Sequence, residues 1–151
     1  MRKTICGILI AATTILTTMS LASCDIETSS AAGDFNGMWH LTRVDTIATG
    51  GVLDLKKEKI YWAFQYKLMQ ADDKNEKLAK ILMRFNQTNT QLTLHTPYVY
   101  DRENGDVPLS DPTLLAPYGI NKLEENFQVI KLTGSKMVLQ SETLKLTFKG
   151  F

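Results

Sequence analysis

From Ile60 to Leu68 a large apolar side chain recurs at every second position: Ile60, Trp62, Phe64, Tyr66 and Leu68, with Tyr61, Ala63, Gln65 and Lys67 between them. Side chains of a strand alternate between its two faces, so this spacing gathers the large residues on one face. A helix, at 3.6 residues per turn, would scatter them around its circumference. The run predicts a half-buried strand. The same period returns in Ala79, Ile81, Met83 and Phe85, in Leu92 and Leu94, and in Leu144, Leu146 and Phe148. Phe127–Leu132 and Lys136–Gln140 are shorter candidates, rich in Val, Ile and Leu. Met38–Ile47 alternates through Trp39 and Leu41 and then slips phase to Val44 and Ile47, which predicts a bulge.

Polar punctuation agrees with this reading. Asp72–Lys77 is expected as a hairpin loop, and Asn86–Asn89, Thr133–Ser135 and Ser141–Glu142 as turns. Several short strands joined by short polar turns predict an all-β sandwich or barrel. One connection is long. Asp101 to Lys122 carries Pro108, Pro112, Pro117, Gly105 and Gly119. Ser110 or Asp111 suits the cap of a single helical turn through Leu115, with Pro112 in its first turn. Connections of this length inside a compact domain are usually functional lids or mobile segments. Its apolar members predict a cap over one barrel mouth, with Leu114, Leu115 and Tyr118 as the lid residues.

The N-terminus reads as an address. Met1-Arg2-Lys3 is basic, Ile5–Met19 is apolar, and Leu21-Ala22-Ser23-Cys24 follows. These are the parts of a secretory signal. The Leu-Ala-Ser-Cys ending resembles the lipobox of bacterial lipoproteins, which implies cleavage before Cys24 and a lipid on its sulfur. A plain signal peptide and an uncleaved span are the alternatives. Ile5–Ser23, with four Thr and two Ser, is short and polar for a span of about 20 apolar residues. The resulting division is a signal at 1–23, the lipidated Cys and a flexible tether at 24–35, and one domain at 36–151. Cleavage removes Cys6, Arg2, Lys3 and no acid, so a formal charge of +1 becomes −1. That balance excludes the basic excess expected of a nucleic-acid binder.

Asn36-Gly37-Met38-Trp39 places Gly-x-Trp at the start of the first strand, where it resembles the first signature of lipocalins. With Tyr118-Gly119-Ile120 and the closing Leu139–Leu144 hairpin, residues 36–151 resemble the small lipocalin-like lipoproteins of Bacteroidetes. The resemblance implies a single antiparallel up-and-down barrel of about eight strands. It also implies a glycine that allows close approach, a Trp39 that closes the barrel base, and a cation–π stack on Trp39 from Lys145 or Lys149.

Trp39, Trp62, Phe64, Tyr66 and Phe85 are the candidate lining of an apolar pocket. The same residues equally suit a packed core, since an eight-stranded barrel is just wide enough to be filled by its own side chains. His40 and His95 lack a third ligand in spacing, so no metal or other cofactor is expected. The acid pairs Asp72-Asp73 and Glu124-Glu125 are expected in solvated turns, because neighbours on a strand point to opposite faces. No Gly-x-Ser-x-Gly and no phosphate loop is present, so no enzyme is expected. The expected function is a non-catalytic, membrane-anchored envelope lipoprotein, in the outer membrane, that binds a small hydrophobic ligand. The alternative is a filled barrel that binds a partner protein or envelope glycan through the 101–122 loop.

Overall fold

The computed structural model describes residues 31–151, so the signal, Cys6, Cys24 and most of the tether lie outside the described residues. The strands are β1 (Gly37–Thr46), β2 (Val52–Asp54), β3 (Ile60–Gln65), β4 (Leu68–Asp73), β5 (Ile81–Gln87), β6 (Gln91–Val99), β7 (Val107–Pro108), β8 (Glu125–Leu132), β9 (Lys136–Gln140) and β10 (Leu144–Gly150). Every pairing is antiparallel, in the order β10-β9-β8-β6-β5-β4-β3-β1, and β10 returns to pair with β1. The result is a closed eight-strand barrel with β2 and β7 as short outer additions. Among the described residues, closure leaves no long strand edge exposed.

β1 holds the ring together. Its first half, Gly37–His40, pairs with β3, and its second half, Arg43–Asp45, pairs with β2. Along its other edge it pairs with β10 from Trp39↔Gly150 to Thr46↔Leu144, with a register shift between Leu41 and Arg43. That is the bulge expected from the phase slip. Similar shifts occur between Leu82 and Arg84 and between Val129 and Lys131. Bulges increase strand twist and bend, which a small closed barrel requires.

The long alternating run is divided in two. β3 stops at Gln65, Tyr66 and Lys67 form the turn, and Leu68 begins β4. Tyr66 has φ 55° and is 49% exposed, and Leu68 is exposed as well. Strict alternation therefore holds for Ile60, Trp62 and Phe64 only. A two-residue hairpin turn with positive φ occupies the middle of what reads as one strand. β4 itself has no two-residue signature: Met69, Ala71, Asp72 and Asp73 are all buried. The expected strand start at Ala79 lies instead at Ile81. Ala32 and Phe35, within the segment read as tether, are buried in the core, and Gly33–Phe35 is a single 3-10 turn.

The long connection is ordered. It contains β7 and two 3-10 turns, Pro112–Leu114 and Ala116–Tyr118. Asp111 caps the first, its carboxylate accepting the Thr113 amide at 2.7 Å, with Pro112 following. Gly119 ends the second in the left-handed region, φ 83°. A Cβ at Gly119 would lie 2.7 Å from Leu146 Cδ2, so both backbone and packing demand glycine there. Gly37 differs from the family expectation. Its φ is 119°, yet a Cβ there would meet nothing within 4 Å, so its backbone and not its bulk requires glycine. The close approach belongs to Gly150, whose Cβ would sit 2.6 Å from the Gly134 carbonyl and 3.1 Å from the Trp39 ring.

Gly119→Ala is expected to lower stability by about 1–3 kcal/mol, through a strained φ and overpacking against Leu146. Gly134→Ala, which meets open space and has no positive φ, is expected to stay within about 0.5 kcal/mol. Urea midpoints of the two variants at unchanged m-value measure the difference.

Candidate functional site

The alternating residues put Trp39, Trp62, Phe64 and Phe85 together inside the barrel, all buried. Trp62 is 0% exposed. Its ring centroid lies 4.9 Å from Phe148, 5.7 Å from Phe127 and 6.3 Å from Phe64. Phe64 continues the contact to Phe85 at 5.2 Å and to Phe35 at 5.4 Å. Tilted and edge-on pairs at these separations are the favoured aromatic geometries and leave little space between rings. Tyr66, grouped with these residues by period, does not join them, because it occupies the β3–β4 turn.

Both barrel ends are closed. At one end the Trp39 indole N–H donates to the Phe35 carbonyl at 2.8 Å, which fastens the 3-10 turn beneath the barrel. At the other, Leu115, Tyr118 and Ile120 enter the core from the long connection. The Trp62 indole N–H donates to the Tyr118 carbonyl at 3.2 Å, and the Tyr118 hydroxyl donates to the Ala79 carbonyl at 2.8 Å. Of the three lid residues, Leu115 and Tyr118 are thus part of the core, and Leu114 is exposed.

The acids at that end differ from the solvated turns expected. Asp73 is buried, and its two carboxylate oxygens accept the amides of Asn75 and Lys77 at 2.9 and 3.0 Å. Asp72 is buried beside Lys74 and Lys80. Glu125 is buried and accepts the Asn121 amide at 3.0 Å, and Glu124 is exposed. Each buried carboxylate closes a loop by accepting backbone N–H groups or lysine ammoniums, which offsets its desolvation. Tyr118 feels these acids. Burial, and then the negative charges of Asp72 and Asp73, push its phenol well above the usual tyrosine value.

Among the described residues no lysine stacks on Trp39. Lys149 stands opposite His40 on the outer face, one position out of phase with the inward Trp39, and Lys145 stands opposite Asp45. His40 donates from Nε2 to the Glu58 carbonyl at 2.6 Å, and His95 has Asn86 and Thr96 as side-chain partners. Among the described residues no group of three His, Cys, Asp or Glu is placed to hold a metal. A depression lies on the outside: a groove of about 560 Å³ lined by His40, Thr42, Lys56, Ser135, Lys136, Thr147, Phe148 and Lys149. Periodicity could have placed His40 and Lys149 on one outer face, but only the β9–β10–β1 register brings Lys136 beside them.

The sequence profile of a lipocalin-like domain matches residues 18–151. This chain belongs to the lipocalin-like domain family. Two solved structures share the fold. A lipocalin-like protein from Bacteroides uniformis superposes with a TM-score of 0.59 at 19% identity, over 79% of this chain and 100% of that one. An uncharacterized protein from Bacteroides eggerthii does so at 0.52 and 18%, over 77% and 98%. No curated protein matches the sequence. The lipocalin-like barrel is a fold of ligand-binding type, generally non-enzymatic.

A phenol whose pKa is raised on folding keeps its proton longer in the native than in the unfolded state. Stability therefore falls as pH rises above the unfolded value of about 10. The urea midpoint is expected to drop between pH 8 and pH 11, and to drop less in Tyr118→Phe.

Proposed function

We propose that this chain is a non-catalytic binding module of the cell envelope. In this reading a lipid on Cys24 holds it in the outer membrane, its barrel is filled by its own side chains, and it binds through its outer surface. One observation carries the reading. Trp62, at the centre of the candidate ligand-lining face, is enclosed by Phe64, Phe127 and Phe148 and hydrogen-bonded to the segment that plugs the barrel. An apolar ligand would need the volume these rings occupy. Membrane anchoring is supported by the order of basic residues, apolar run and Leu21-Ala22-Ser23-Cys24. More than one acyl chain gives firm anchoring where a single chain is marginal.

The second reading is an apolar ligand inside the barrel, favoured by the ligand-binding type of the fold. Here it requires Leu115, Tyr118 and Ile120 to leave the mouth, exposing Trp62, Phe64 and Phe85 as lining. Trp62 reports on both readings. Titration of residues 25–151 with a lipid-like fluorescence quencher is expected to give no saturable change in tryptophan emission, and organic extracts of the protein to contain no retained apolar molecule by mass spectrometry. Saturable quenching that disappears in Trp62→Ala with the fold intact would overturn the filled-barrel reading in favour of the second. For the anchor, full-length chain grown with an alkyne fatty acid is expected to take up label and to fractionate with the outer membrane. Cys24→Ala is expected to do neither.

A further inference from the structure

The outer groove carries a charge arrangement that the fold does not need. Lys149 of β10 stands directly opposite Lys136 of β9 on one side and His40 of β1 on the other. Directly opposite residues of an antiparallel pair share a face with Cβ atoms roughly 5 Å apart, where like charges destabilise the sheet. Lys56 reaches the same groove from the loop after β2. Among the described residues neither Lys136 nor Lys149 has a carboxylate within ion-pair distance. Lys56 has only Asp54, at 3.8 Å, and both of those side chains are exposed. Three lysines thus line one concavity, with a single weakly placed counter-charge among the described residues.

The rest of the groove is not charged. Thr42 satisfies itself by donating to the Thr147 carbonyl at 3.0 Å, and the Ser135 and Thr147 side chains complete the polar wall. At the margin His40 stacks on Tyr61, with centroids 5.0 Å apart and planes 28° apart. Phe151 lies 5.6 Å from Tyr61 and 6.4 Å from His40, and is 76% exposed. A cationic row around a groove of about 560 Å³, with the half-buried His40 and Tyr61 rings and the exposed Phe151 ring at its margin, matches one ligand chemistry. It suits an anionic head with an aromatic or apolar body, and the volume lies within the usual range of roughly 300–1,000 Å³ for small-molecule sites.

We propose that the β1–β10–β9 groove binds a small organic anion, a carboxylate or phosphate ester. Lys136, Lys149 and Lys56 hold its charge, and the His40–Tyr61–Phe151 cluster holds its apolar body. This rests on the filled-barrel reading, since it places the ligand outside. A bound anion supplies the counter-charge that Lys136 and Lys149 lack. Concavity favours a discrete molecule over a flat bilayer surface.

The probe is 2-naphthyl phosphate, titrated calorimetrically into the full-length protein in neutral detergent. The comparisons are 2-naphthol, inorganic phosphate, and vesicles with and without phosphatidylglycerol. Saturable binding of 2-naphthyl phosphate is expected, weakened at least about tenfold in Lys136→Gln/Lys149→Gln and severalfold in Phe151→Ala, with 2-naphthol and inorganic phosphate each much weaker. The double variant is expected to have a urea midpoint equal to or above that of the parent, because its like-charge pair is gone. A lower midpoint would assign the lysines to structure and overturn the proposal. So would binding that ignores the double variant, absence of any saturable binding, or attachment to phosphatidylglycerol vesicles without binding of the soluble probe. Binding that ignores the lysines and is lost in Trp62→Ala would overturn the filled barrel as well. Absence of binding with unchanged tryptophan emission would overturn the groove alone.

Discussion

The indole N–H of Trp62 is the point on which this barrel turns. It lies fully buried in an apolar interior, where an unpaired donor costs about 1–3 kcal/mol. An acceptor within the fold has to satisfy it. The Tyr118 carbonyl does so from outside the sheet. That requirement explains why a proline-rich connection is ordered across the mouth. It is drawn in by a buried donor, locked by the Tyr118 hydroxyl on the Ala79 carbonyl, and sealed by Leu115 and Ile120. The left-handed Gly119 lets the chain leave the plug without displacing Leu146.

Much of this was legible in the order of residues. Period two in Ile60–Phe64, Ile81–Phe85, Leu92–Leu94 and Leu144–Phe148 named the inward face, and the phase slip after Leu41 named a real register shift. Gly-x-Trp at 37–39 and the capping of Pro112 by Asp111 were local signals with local causes. The failures share a cause too. Tyr66 and Lys67 form a turn inside an unbroken alternation, because a positive φ at tyrosine leaves no mark that a sequence reader can see. β4 was invisible because three consecutive residues, Ala71 to Asp73, are buried as strand gives way to loop closure. The acids looked solvated because burial of Asp73 and Glu125 depends on amides that only the folded loops supply.

The candidate site follows the same division. The four inward aromatics were readable from period alone. That they form a filled centre depends on Phe127 and Phe148 arriving from strands distant in sequence. The outer groove was unreadable, because it is a property of register: Lys136, Lys149 and His40 are neighbours only once β9, β10 and β1 lie side by side. Interior and exterior therefore obey opposite rules. Inside, the polar groups described above each find a partner. Outside, among the described residues, Lys136 and Lys149 stand side by side with no carboxylate within ion-pair distance.

Closure between β1 and β10 carries a further consequence for how the chain is made. The pairing from Trp39↔Gly150 to Thr46↔Leu144 joins the first barrel strand to the last. Such contacts span nearly the whole domain, and topologies rich in them fold slowly. Until β10 emerges, β1 offers an open edge with Trp39 and Leu41 on its inner face, the kind of surface that pairs with other chains. A ribosome stalled short of residue 144 would therefore leave a nascent sheet with its seam unsewn. The seam also brings the start of β1 and the end of β10 side by side, so a new connection across them, with a break at the exposed Tyr66–Lys67 turn, would preserve every strand pairing of the ring.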